Sequence, residues 1–239
     1  MSRQVTMLGV AALSVILLSV PALARDSAKT QTLSKELKQV IQKIQNRYER
    51  TRDLRADFRQ TTIIEGFETP ILSRGRMYIK KPGRLRWDYL DPTVEEIYVN
   101  ENKVMIYVPE HKQVLVGKLT HMAASQAPLQ LLQGVARLDK QFTIGPSSSD
   151  TRGEGGLPLI TLFPKHEGHE SVRAVDKIEL RVVPTTYFIK SVVIHEVSGN
   201  RSTFEFTGLK ANSGLDDKVF DFQVPAGVEV VKAPTLNPP

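Results

Sequence analysis

Apolar residues recur at steps of three and four between residues 33 and 52: Leu33, Leu37, Val40, Ile41, Ile44 and Tyr48. Lys35, Glu36, Lys38, Gln42 and Lys43 fill the other face, and this spacing predicts an amphipathic helix. The period then changes to two. Leu54, Ala56 and Phe58 alternate with Arg55, Asp57 and Arg59, and Gly75, Met77 and Ile79 alternate with Arg76, Tyr78 and Lys80. Such alternation predicts strands with one wet face and one apolar face. Further strands are expected over 95–99, 103–108, 113–116, 142–144, 159–163, 177–183, 187–196 and 202–209, with a last one around 220–224. Turn-forming clusters such as Asn100-Glu101-Asn102 and Ser198-Gly199-Asn200 separate them, so the expected sheet is an antiparallel meander.

One helical island interrupts the strands. In "PLQLLQGVARL", residues 128–138, Leu129, Leu132, Val135 and Ala136 share a helical stripe, flanked by Leu131 and Leu138. Pro128 suits a first helical position, while Gly134 softens the helix by about 1 kcal/mol relative to Ala. A curved meander with few helices packs them against its apolar face, and incomplete closure permits an enclosed cavity.

The start of the chain adds a compartment. Arg3, an apolar run from Val5 to Val20, and Ala22-Leu23-Ala24 before Arg25-Asp26 form the three parts of a secretory signal peptide. Residues 1–24 are therefore expected to be removed and 25–239 to form a single domain in the periplasm. Without Arg3 the chain keeps 31 basic and 26 acidic side chains, a modest excess that does not demand nucleic acid. Cysteine is absent, which excludes disulfides, thiol nucleophiles and a lipid-modified amino-terminal Cys.

Candidate chemistry is sparse. "HEGHE", residues 166–170, lacks the histidine pair at i, i+4 of zinc proteases, and Gly168 opposes the helix that would align it. No Gly-x-Ser-x-Gly elbow surrounds a serine, and 152–156 lacks the end of a phosphate-binding loop. No enzyme, metal or cofactor is expected. "YIKKPGRLRWDYLDP", residues 78–92, mixes cations with the one tryptophan, a nucleic-acid pattern in other settings. In an exported chain it reads as a hairpin: Pro82-Gly83 turns, Leu85, Trp87 and Tyr89 face inward, and Arg84, Arg86 and Asp88 face water.

Several of these stretches together resemble a known family. They are Phe58-x-Gln60; Gly75-x-Met77 through Lys81-Pro82-Gly83 to Tyr89; Pro128-Leu129-x-Leu131-Leu132; and Phe220-x-Phe222-x-x-Pro225-x-Gly227-Val228-x-Val230. In order and spacing the chain is similar to the periplasmic outer-membrane lipoprotein carriers, the LolA-type chaperones. The resemblance implies a mainly β fold: an unclosed antiparallel β-barrel under a lid of short helices, around an apolar cavity. It implies a monomer that takes lipoproteins by their acyl chains from an inner-membrane ABC transporter and passes them to an outer-membrane receptor. Phe58, Met77, Ile79, Leu85 and Trp87 are the expected cavity positions on strands. Leu129, Leu131 and Leu132 are those on the lid. Lys81 and Pro82 form the expected lid latch, with Lys81 standing where family members carry an Arg that grips backbone carbonyls. An exported lipid sensor acting through a protein partner is the alternative on the same fold.

Overall fold

The computed structural model describes residues 34–118, 132, 138–147, 152–165 and 174–232. The expected signal segment, Leu129, Leu131, residues 166–170 and the tail from 233 lie outside the described residues.

Ser34 starts the first helix. Its Oγ accepts the backbone N–H of Leu37 at 3.1 Å, satisfying one of the donors that a helix start leaves open. The helix, α1, spans Lys35–Glu49, with Glu36 in its first turn and Arg47 in its last, each suited to that end of the dipole. It buries Leu37, Val40, Ile41, Ile44 and Tyr48 of the predicted stripe; Leu33 lies outside the described residues.

The strands are β1 Asp53–Ile63, β2 Ile71–Lys80, β3 Arg84–Asp91, β4 Glu95–Asn100, β5 Lys103–Val108 and β6 Gln113–Lys118. After a single-turn helix, α2 Leu138–Gln141, come β7 Phe142–Pro146, β8 Ile160–Pro164, β9 Val175–Val182, β10 Ile189–Glu196, β11 Arg201–Ala211 and β12 Glu229–Lys232. Together they make one sheet, in the order β12-β6-β5-β4-β3-β2-β1-β11-β10-β9-β8-β7. The end strands β12 and β7 are not neighbours, so the barrel is unclosed. One apolar cluster joins α1 to inward side chains of ten strands, from Phe142 on β7 round to Val104 on β5. The sheet therefore curls about α1, burying its inner face and leaving Arg55, Asp57 and Arg59 outside.

Close approach at one glycine shapes the middle of that inner face. Gly75 pairs with Phe58 on one side and Tyr89 on the other. A Cβ on Gly75 would lie 1.9 Å from the Asp88 carbonyl oxygen and 2.5 Å from Phe58 Cζ. The ring of Phe58 occupies the place a side chain would take.

The carboxy-terminal part differs from the expected pattern. The segment 220–224 is not a strand: a 3-10 turn at Asp217–Phe220 lies against β3, and Phe222 stacks on Tyr98 and Tyr107 at 4.9 and 5.5 Å. The last strand is β12, further on, and it pairs parallel with β6 where antiparallel pairing is expected. Outward apolar groups on β4 and β5 explain the strap, because Tyr98, Met105 and Tyr107 need cover on the face opposite the core. Of the expected lid helix at 128–138, only Leu132 and Leu138 are described; Leu132 has helical backbone and both side chains are buried.

Candidate functional site

The five strand residues singled out by sequence form one patch. Pairing sets Met77 opposite Trp87 and Ile79 opposite Leu85, and Phe58 lies beside them on β1. Phe58, Met77, Leu85 and Trp87 are buried, and Ile79 is half-buried against the same cluster. Trp87 is the hub of an aromatic group. Phe58 lies 4.3 Å from it, Phe204 5.8 Å and Phe206 6.1 Å, centroid to centroid. Among the described residues its indole N–H finds no acceptor within hydrogen-bond geometry, an unusual state for a buried donor. Phe204 and Phe206 carry as much of this wall as the predicted residues. Their period-two spacing in 202–209 was the signal for them.

Next to this wall runs a short polar chain. Tyr89 Oη donates to Gln60 Oε1 at 2.7 Å, and Gln60 Nε2 donates to Thr62 Oγ1 at 3.0 Å. Burial, with the charge of Glu95 nearby, pushes the Tyr89 hydroxyl pKa up, so it stays a donor. Wall and polar chain together give an apolar surface on which Tyr89, Gln60 and Thr62 satisfy one another and the Trp87 N–H does not find a partner.

Lys81, the expected latch, reaches the end of α1. Its Nζ donates to the carbonyls of Tyr48 at 2.5 Å and Glu49 at 3.0 Å, two of the open acceptors at the end of that helix. Its backbone N–H donates to Arg52 O at 2.8 Å. Partial burial lowers the Lys81 pKa, and the charge of Glu49 opposes that shift. Pro82 lies in the β2–β3 turn, followed by Gly83 at φ 59°. Arg84 takes no part in the latch: it reaches Asp217 at 3.1 Å, beside Lys80 at 2.6 Å.

Four further ties, none read from the sequence, fasten the same helix. Arg152 pairs with Glu36 at 2.7 Å, and Lys43 Nζ donates to Tyr187 Oη at 3.0 Å. Gln45 Nε2 donates to Asp139 Oδ1 at 3.2 Å, and Arg47 Nε donates to Thr186 O at 2.8 Å. All four are exposed to solvent. Beneath the latch, Ile79, Lys81, Leu54, Tyr48 and Leu132 border a crevice of about 50 Å³. That is room for one or two water-sized groups.

The junction below the latch is fixed by Asp53. Its carboxylate accepts from Ser213 N at 2.8 Å, Ser213 Oγ at 3.1 Å and Gly214 N at 3.1 Å. Burial acts to raise its pKa, and these donors outweigh burial and hold it below the usual carboxylate range.

Comparison with known proteins agrees with this architecture. Residues 49–223 match the family described as Outer membrane lipoprotein carrier protein LolA. An outer-membrane lipoprotein carrier protein of Methylococcus capsulatus is 31% identical over 179 residues, 75% of this chain and 81% of that one. Another, of Pseudomonas putida strain W619, is 26% identical over 221 residues, 92% of this chain and 99% of that one. The crystal structure of a conserved protein of Thermus thermophilus superposes with a TM-score of 0.53 at 11% identity, over 82% of this chain and 98% of that one, a likeness of fold alone. With an unclosed sheet curled about one amphipathic helix and a family match across most of its described length, the chain belongs to the LolA family of outer membrane lipoprotein carrier proteins.

Proposed function

We propose that this protein is a periplasmic chaperone that shelters the acyl chains of lipoproteins between the inner wall of the sheet and its helical cover. It receives them at the inner membrane from a lipoprotein-releasing ABC transporter and yields them to an outer-membrane receptor. The observation that supports the reading is a continuous apolar wall under a cover most of whose polar ties are exposed, the buried one being Ile189 N–H to Tyr48 Oη at 3.1 Å. Each acyl methylene gains about 0.8 kcal/mol on leaving water, so a lipoprotein with several chains needs a greasy shelter for transit. Apolar surface without directional groups offers that shelter to chains of any length. Exposed ion pairs and hydrogen bonds contribute little individually, so α1 is held closed at rest and displaced by a ligand that buries more apolar area.

On this reading Phe58, Met77, Ile79, Leu85 and Trp87 meet the chains from the sheet. Leu129, Leu131 and Leu132 meet them from the cover, with Lys81 and Pro82 at the latch. Titration of the purified protein with a triacylated peptide tests it. Binding saturates in the wild type and is lost in Leu132→Glu with the far-UV circular dichroism unchanged. Equal binding by that variant removes the cover from the proposal. Extraction of a lipoprotein from spheroplasts by the wild-type protein, and no extraction by Leu132→Glu, tests transport itself.

A further inference from the structure

The sheet face turned away from α1 carries a chemically opposite surface. On β1 its outward residues are Arg55, Asp57 and Arg59. Pairing places Arg55 directly across from Lys210, and Arg59 directly across from Arg74. Like charges facing each other in a ladder weaken it; Arg59 has Glu205 across from it on the other side, but Arg55 faces Tyr78 there and gains no carboxylate. No described carboxylate lies within ion-pair distance of Arg55, Arg59, Arg181 or Lys210.

These residues border a trough. A groove of about 760 Å³ crosses β2, β1, β11, β10 and β9, lined by Arg59, Arg74, Arg76, Arg152, Arg181 and Lys190 against Asp57, Glu154 and Glu205. A second groove, of about 440 Å³ and edged by Arg55 and Lys210, continues from it through Asp57 and Arg76. Five of the six cations in the larger groove are arginines, whose planar fork matches carboxylates in bidentate fashion. Arg152 and Lys190 are already tightly paired, with Glu36 and with Glu154, but Arg76 lies 3.6 Å from Asp57 and Arg74 3.4 Å from Asp91, each pair more than half exposed. Such pairs exchange partners readily. Leu90, 46% exposed, adds one apolar foothold on the groove wall.

We propose that this outer face docks an acidic, extended segment of a protein partner while the inner face holds cargo. A segment of chain fits down the trough and offers carboxylates to Arg59, Arg74 and Arg181 in turn. A flat anionic bilayer cannot follow the trough. The assignment stands apart from acyl-chain carriage, because the exposed side chains of β1 alternate with the buried ones and so lie on the opposite face of the sheet.

The test is fluorescence anisotropy of a labelled deca-glutamate peptide titrated with the full chain, run beside vesicles of mixed phosphatidylcholine and phosphatidylglycerol. Binding is expected to saturate and to weaken with added salt, which screens such contacts over about 8–10 Å. In the double variant Arg59→Glu/Arg181→Glu it falls about tenfold or more, while binding of the triacylated peptide is unchanged. Amide shifts in the wild-type protein concentrate at 55–59, 74–76 and 181. If charge reversal shifts the unfolding midpoint, Arg59→Gln/Arg181→Gln is read in its place, with a smaller loss of the same sign. Equal affinity in the substituted protein overturns the proposal, and so does vesicle binding without peptide binding.

Discussion

A single ammonium group ends the main helix. Lys81 caps two carbonyls of α1 with a point charge where a guanidinium would offer a planar fork. Lys81→Ala should lower stability by about 1 kcal/mol and speed hydrogen exchange in the last turn of α1, leaving the β1–β2 ladder protected. Exchange unchanged in that turn would mean that the apolar stripe alone holds the helix. Asp53 makes a sharper prediction in pH. Its folded pKa is depressed, so its stabilisation is complete above the unfolded value of about 3.9 and is lost as pH falls from there through the folded pKa. Asp53→Asn should cost about 1–3 kcal/mol near neutrality, and the gap to wild type in urea midpoints should shrink toward pH 2. A gap that stays constant with pH would show that the clamp is not ionic. Gly75→Ala should be poorly tolerated, because its methyl meets backbone at Asp88, which cannot swing away. Lys81 and Pro82 were singled out through family likeness, though not the Tyr48 and Glu49 carbonyls that Lys81 reaches. Asp53 was not, because its partners lie 160 residues on and no local pattern encodes them.

At the level of elements, period and turn chemistry carried far. The α1 stripe and the hairpins from β1 to β6 follow from spacing, since each pairs with a neighbour in sequence. The final strand does not. Glu229–Lys232 becomes a strand by finding the free edge of β6, and 220–224 becomes a strap by covering Tyr98 and Tyr107. Both outcomes depend on surfaces made elsewhere, which periodicity within the segment cannot report. The ties of α1 are hidden for the same reason: Lys43 meets Tyr187 and Arg47 meets Thr186 across more than a hundred residues. Ile44, fully buried on α1, should cost about 2–5 kcal/mol as Ile44→Ala, measured by urea unfolding. Phe222→Ala should cost less, about 1–2 kcal/mol, and raise the fluorescence quenching of Tyr98 and Tyr107 by acrylamide.

The whole molecule sorts its chemistry by side. Aromatic and aliphatic groups meet α1 inside, and arginines stand in ladders outside, so one sheet separates a dry compartment from a charged exterior. The strand order adds a mechanical property. β1 pairs with β11 in the middle of the row, so an amino-terminal wing of β1 to β6 and a later wing of β7 to β11 are stitched along that one seam. At the far margins β12 and β7 hold no bond to each other. Spreading the wings apart therefore ruptures no rung between strands, as a sleeve slit along its length widens where a hooped cask cannot.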